Sequence, residues 1–330
     1  MREIADLFKS VMILIVICLI FAIFIKLNNK IDSPYNDRDK KIPVAFDDGF
    51  SYGELGATFD DTVVYRDNNI NSELFGECYY ALFINETDKY AYASKNAFKR
   101  MYPASMTKLM TAMVVLDKVN SKQISLDDVV TVSNYYDLSA EGGGVNQLGI
   151  GSEITVKDLL YTLLIQSNNY YALILADYVA GSESAFCDLM NEKAKSIGAT
   201  NTNFVNPHGL DDVDHYTTAY DMYLIIKEAY SYSIINEIDS YETYNYVYTN
   251  SSGVPIEVDI AATNYFIAGL AKLPANYEIK VWKTGTTDGA GNALAMYLKK
   301  EDKEYVVVAS CGESKPLLYD AIVTMLCLVN

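Results

Sequence analysis

Strand-like segments lie at both ends of the folded part of this chain, and helix signals fill its middle. Near residue 80, Tyr79-Tyr80-Ala81-Leu82-Phe83-Ile84 and Tyr90-Ala91-Tyr92-Ala93 flank Asn85-Glu86-Thr87-Asp88-Lys89, the pattern of a hairpin. Far downstream, residues 279–287, 293–298 and 305–311 read as strand, turn and strand. Strands so distant in sequence share a core when one sheet joins both ends. The expectation is therefore an α+β fold, with an antiparallel sheet built from both chain ends, flanked by helices, plus a helical subdomain.

The middle is read from apolar spacing and helix caps. Leu109, Met110, Met113, Val114 and Leu116 predict a helix buried on one side, opening after Pro103 with Ser105 at its mouth. Thr155-Val156-Lys157-Asp158 resembles a capping box ahead of Leu159, Leu160, Leu163 and Leu164. That helix breaks at Ser167-Asn168-Asn169, and a second periodic run follows with Leu173, Leu175, Ala176 and Val179. Ser182 caps a helix that ends near Gly198. Asn206-Pro207-His208-Gly209-Leu210 reads as a turn, and Thr218-Ala219-Tyr220-Asp221 as a second capping box. Tyr244, Tyr246 and Tyr248 alternate as in a strand that turns at Ser251-Ser252-Gly253, and residues 316–328 read as a closing helix. Glu141-Gly142-Gly143-Gly144 reads as a loop.

Ahead of this body, residues 11–25 form an unbroken apolar run bracketed by Lys9 and Lys26. No small-x-small cleavage site follows it, so residues 1–27 are expected to be an uncleaved membrane anchor. Residues 28–75 read as an acidic tether, and residues 76–330 as the catalytic domain. The flanking charges (Arg2 and Lys9 against Lys26, Lys30, Arg38, Lys40 and Lys41) would place the body in the cytoplasm.

A net charge of -17 speaks against binding a nucleic-acid backbone. The five cysteines include no C-x-x-C pair, so neither a zinc site nor a thioredoxin-like motif has support. Cys78, Cys187, Cys311 and Cys327 stand in apolar surroundings and read as buried thiols. A bond between two of them, such as Cys78 and Cys311, is left open by the sequence.

Three short stretches carry chemistry. Ser105 and Lys108 stand three apart on a helix start, so hydroxyl and amine can meet. A neutral amine there can take the serine's proton. Ser167-Asn168-Asn169 places polar groups between two buried helices, where they need partners; capping the backbone is the plainer use of such a trio. Lys283-Thr284-Gly285-Thr286 sets a lysine and hydroxyls beside a glycine that permits close approach of another chain segment. The plainer reading of that lysine is the guard of an edge strand.

Ser105-x-x-Lys108, Ser167-x-Asn169 and Lys283-Thr284-Gly285, in that order, resemble the motif set of penicillin-binding proteins and class A β-lactamases. The chain is most similar to the low-molecular-mass D-alanyl-D-alanine carboxypeptidases. The likeness extends over residues 103–111, Met190-Asn191, residues 204–210, Thr218-Ala219-x-Asp221-Met222 and Ala290-Gly291. Two positions depart from that family: Tyr170 follows Ser-x-Asn where an acidic residue is usual, and Val281 stands where a glycine is common.

The resemblance implies a serine peptidase acting on the D-Ala-D-Ala terminus of peptidoglycan stem peptides, with β-lactam antibiotics as covalent inhibitors and no metal or organic cofactor. It implies Ser105 as nucleophile, Lys108 as base and Ser167 as proton relay. Asn169, Lys283, Thr284, Gly285 and Thr286 would bind substrate, with the N–H groups of Ser105 and Thr286 as the oxyanion hole. Such a substrate lies outside the membrane, which overrides the charge count. The rival readings are a D,D-endopeptidase, a β-lactamase, for which no Glu-x-x-Leu-Asn is present, and a non-catalytic wall-binding or β-lactam-sensing protein. With no G-x-S-x-G elbow, His208 and His215 read as structural.

Overall fold

The structure is a computed structural model, and it describes residues 71–76, 78–138, 148–311 and 314–329. The anchor, the tether up to residue 70 and the Glu141–Gly144 loop lie outside the described residues.

The sheet joins both chain ends as the strand distribution requires. Its strands are β1 (Cys78–Asn85), β2 (Tyr90–Lys95), β7 (Tyr277–Thr287), β8 (Gly291–Lys300) and β9 (Lys303–Cys311), in the order β2-β1-β9-β8-β7. All neighbours run antiparallel, and β1 lies beside β9 with Cys78 opposite Cys311. These two cysteines form a disulfide across 233 residues of chain. In the chain-entropy description, a link of that span restricts the unfolded chain by roughly 5 kcal/mol. Of the other thiols, Cys187 is buried as expected, but Cys327 is exposed because it follows the last helical turn.

Seven helices follow in chain order among the described residues: α1 (Thr107–Asn120), α2 (Val156–Ile165), α3 (Asn169–Ala180), α4 (Glu183–Ser196), α5 (Ala219–Tyr230), α6 (Ser233–Ile238) and α7 (Lys315–Leu326). The expected caps form. Thr155 accepts from Asp158 N–H (3.0 Å), Ser182 from Ala185 N–H (3.2 Å) and Thr218 from Asp221 N–H (2.9 Å). Each satisfies a donor that the first helical turn leaves orphaned. Consecutive residues of β8 and β9 are buried, so both faces of the sheet are covered, and α5 and α7 pack there.

Helix α1 differs from its sequence reading. Every residue from Thr107 to Leu116 is buried, because α1 packs against α2, α3, α4 and α5. It is a central helix, and its polar residues point into the protein. A second sheet, β3-β4-β5-β6, accompanies the helices: β3 (Val129–Thr131), β4 (Glu153–Thr155), β5 (Thr243–Thr249) and β6 (Pro255–Ala261). Its β5–β6 hairpin matches the tyrosine alternation. Strands β3 and β4 are three residues each, too short for a period-2 signal. A 3-10 turn at Ser72–Phe75 buries Phe75 completely, so the end of the stretch read as tether packs with the body.

Candidate active site

Ser105 sits in a single 3-10 turn, Ala104–Met106, that runs directly into α1. The turn is strained: Ala104 has φ +47°, a left-handed value that side chains with a Cβ seldom adopt. One turn further, Lys108 is fully buried, and its Nζ lies 2.8 Å from Ser105 Oγ. The same nitrogen lies 2.7 Å from Asn169 Oδ1 and 2.6 Å from the His208 carbonyl oxygen.

Three oxygens around one nitrogen admit either an ammonium that donates to all three or a neutral amine that donates to two. Asn169 Oδ1 and the His208 carbonyl can only accept. A neutral amine has two N–H bonds, and these two acceptors take both. Its lone pair is then left for the Ser105 hydroxyl. The electrostatics favour that state: burial, and then the positive charge of Lys283, hold the Lys108 pKa well below the usual 10.5.

The Ser167-Asn168-Asn169 trio divides its labour. Asn168 caps α3, its Oδ1 accepting from Tyr170 N–H (3.0 Å) and Tyr171 N–H (3.3 Å). Asn169 reaches Lys108 instead. Ser167 is held at φ +66° in the two-helix corner, partly exposed. The capping and functional readings of this stretch thus fall on different residues.

Strand β7 is the edge of its sheet, yet Lys283 is no edge guard, since it is fully buried. Burial draws its pKa down to about 7; Asp239 opposes that shift and Lys315 adds to it. The glycine at 285 does what close approach demands. A Cβ there would stand 2.8 Å from Ala104 Cβ and 3.2 Å from Ser105 N, so β7 lies directly against the Ser105 turn. Trp282 N–H donates outward to Asp239 Oδ2 (2.7 Å) rather than to β8. Backbone groups alternate along a strand, so the N–H groups of Thr284 and Thr286 face the same open edge.

The structure therefore brings Ser105, Lys108 and Asn169 into direct contact, with Ser167 in the adjoining corner and the segment Lys283 to Thr286 along the opposite wall. Sequence reasoning missed four residues that adjoin the site. The His208 carbonyl and Gly209 lie in the Asn206–Leu210 turn; Thr111 Oγ1 also donates to the Pro207 carbonyl there (2.6 Å). Thr263 Oγ1 lies 2.6 Å from Thr284 Oγ1. Asp239, fully buried, carries the unpartnered oxygen Oδ1. A backbone carbonyl leaves no trace in side-chain identity; Thr263 and Asp239 show no motif spacing.

Both histidines are structural. His215 Nδ1 accepts from Val205 N–H (3.1 Å), which leaves Nε2–H to donate to Thr107 Oγ1 (2.9 Å). His208 Nδ1 accepts from Leu210 N–H (3.2 Å). Burial above all holds each imidazole neutral, with its pKa at about 3.

Comparison with known proteins follows the same lines. A family described as D-alanyl-D-alanine carboxypeptidase, peptidase S11, matches residues 79–311. D-alanyl-D-alanine carboxypeptidase DacF of Bacillus subtilis is 38% identical over 181 residues, 54% of this chain and 46% of that protein. D-alanyl-D-alanine carboxypeptidase DacC of Escherichia coli is 34% identical over 228 residues, 66% of this chain and 52% of that protein. The chain thus spans about half the length of these curated relatives. Among solved structures, the Streptomyces K15 DD-transpeptidase superposes with a TM-score of 0.68 at 23% identity, covering 76% of this chain and 96% of its own, a likeness of fold. With the family match spanning residues 79–311, which include all three motif stretches, the chain belongs to the D-alanyl-D-alanine carboxypeptidase family, peptidase S11.

Proposed function

We propose that this chain is a serine D-alanyl-D-alanine carboxypeptidase that removes the terminal D-alanine from peptidoglycan stem peptides. The observation that carries the reading is the fully buried Lys108 amine, 2.8 Å from Ser105 Oγ and held by two further acceptors, Asn169 Oδ1 and the His208 carbonyl. Ser105 Oγ attacks the carbonyl of the penultimate D-alanine while Lys108 takes its proton. The oxyanion meets the N–H groups of Ser105 and Thr286, the first at a helix start, the second on the open edge of β7. Ser167 passes a proton to the departing D-alanine amine, and Asn169 holds the substrate amide. Lys283 and Thr284 take the terminal carboxylate, Gly285 letting their strand lie close to the nucleophile. Water then releases the acyl group from Ser105. A β-lactam enters the same acylation, but its opened ring stays tethered and no leaving group departs.

Labelling with a fluorescent penicillin tests the reading. The wild-type protein should hold a stable adduct and release D-alanine from a pentapeptide, and Ser105→Ala should do neither. An unchanged adduct on Ser105→Ala ends the proposal. Rapid penicillin turnover would replace it with a β-lactamase, and cleavage confined to cross-links with an endopeptidase.

We also propose that residues 1–27 anchor the chain and that the body lies on the outer face of the cell membrane. Among the described residues no helix is long and apolar enough to cross a membrane, and the anchor lies outside them. The Cys78–Cys311 disulfide supports the orientation, since such bonds persist in oxidising compartments. Protease added to intact cells should degrade the body; survival of the body while surface proteins are cut would reverse the topology.

A further inference from the structure

Thr263 lies in the connection from β6 to β7, on the open edge of β7, and makes two contacts that bridge the cleft walls. Its N–H donates to the carbonyl of Ile165 (3.2 Å), the last residue of α2, two positions before Ser167. Its hydroxyl lies 2.6 Å from that of Thr284. The backbone here is held firmly. Asn264 is fully buried, its Oδ1 accepting from Phe266 N–H (3.0 Å) and Tyr319 O–H (3.3 Å), and Tyr265 N–H donates to Tyr319 Oη (2.8 Å). The Tyr265 ring stacks on Tyr319, with centroids 4.9 Å apart.

Two hydroxyls at this distance share one proton between them, and each has only one to give. If Thr284 donates to Thr263, its oxygen presents only lone pairs to the cleft and repels an anion. If Thr263 donates, the Thr284 proton is released toward the cleft, and the chain of two hydroxyls polarises in the direction an anion favours. We propose that Thr263 is a positioning residue that donates to Thr284 and so aims the Thr284 hydroxyl at the substrate's terminal carboxylate. This rests on the reading of Lys283 and Thr284 as carboxylate holders. Thr263 touches no reacting atom. Its effect is on recognition of the anion, so acylation by ligands lacking that charge is indifferent to it.

The test compares acylation by a penicillin bearing its free carboxylate with acylation by the methyl ester of the same penicillin. Thr263→Val keeps the backbone N–H to Ile165 and nearly the same volume, and removes only the hydroxyl. The second-order acylation rate for the acid should fall about 5-fold, the worth of one neutral hydrogen bond that no longer orients the Thr284 hydroxyl, while the ester rate stays unchanged. Thr263→Ser should restore the acid rate. Thr263→Ala serves the same comparison should the valine variant fold poorly, and thermal unfolding monitors both. An equal fall for acid and ester, or no fall for either, overturns the assignment of Thr263. A wild-type protein that does not distinguish acid from ester instead overturns the carboxylate-holding roles of Lys283 and Thr284.

Discussion

Lys108→Met will lower the acylation rate by about 10³-fold or more while leaving the protein folded, with a Tm within about 5 °C of the wild type. Two opposing effects set the stability side. The substitution leaves the His208 carbonyl and Asn169 Oδ1 without their donor, at about 1–3 kcal/mol for a buried acceptor; water can reach the partly exposed Asn169. Against that, an amine fully removed from water is replaced by an apolar chain of similar length, which suits the packed surroundings of α1. The activity side has no such compensation, because Lys108, in contact with the Ser105 hydroxyl, is the proposed base. Measuring penicillin acylation and thermal unfolding on the same preparation checks both. Acylation retained within 10-fold would mean another group deprotonates Ser105.

In the proposed mechanism two lysines, Lys108 and Lys283, set the pH dependence. Lys108 must be neutral to act, so kcat/KM falls on the acid side as Lys108 gains a proton. Lys283 must be charged to hold a carboxylate, so kcat/KM falls on the alkaline side as Lys283 loses its proton. That limb should begin near pH 7, because burial lowers the Lys283 pKa to about 7. Asp239 opposes that shift only when ionised, and burial lifts its own pKa to about 8, so the position of the limb is set first by the burial of Lys283. In the bound complex the carboxylate stabilises the charged lysine, so the limb in kcat lies higher than that in kcat/KM. An alkaline limb at the ordinary lysine value of 10.5 would remove Lys283 from carboxylate binding.

What could be read from the chain follows the locality of each signal. The caps at Thr155, Ser182 and Thr218 act within three residues, and all three form. The hairpin before Tyr90 is local too: Asn85 holds its turn by accepting from Asp88 N–H (2.9 Å). The contact of Ser105 with Lys108 follows from helical spacing alone. The full burial of α1 could not be read, because Thr107, Lys108 and Thr111 are polar residues that sequence patterning assigns to a solvated face. They are buried because their partners, His215, the His208 carbonyl and the Pro207 carbonyl, arrive from about 100 residues away. Local and global preferences conflict where side chains are committed to chemistry, and the site is where a patterning rule fails.

Gly209→Ala should cost about 4 kcal/mol of stability and about 10–15 °C in Tm. Two penalties add. Gly209 has φ +90°, which any side chain with a Cβ resists by about 1–2 kcal/mol. A Cβ there would also stand 2.0 Å from the Ala104 carbonyl oxygen and 2.5 Å from its carbon, backbone atoms in a turn already at φ +47°. Neither segment can yield as a flexible side chain would, so the Asn206–Leu210 turn must move away from Ser105, adding about 1–3 kcal/mol or more. The move carries the neighbouring His208 carbonyl off Lys108, and acylation should fall about 100-fold as well. Gly285→Ala gives the contrast. Its φ is not left-handed, and its Cβ would press on Ala104 Cβ at 2.8 Å and Ser105 N at 3.2 Å. That crowding falls on the Ser105 turn and on one N–H of the proposed oxyanion hole. The stability loss should stay near 1–2 kcal/mol while acylation falls about 100-fold. Thermal unfolding and penicillin acylation of the two variants separate the roles. A Gly209→Ala protein whose Tm stays within 2 °C of the wild type would show that the turn is not pressed on Ala104. An acylation rate unchanged in Gly285→Ala would show that the close contact of β7 with the Ser105 turn is not needed for the reaction.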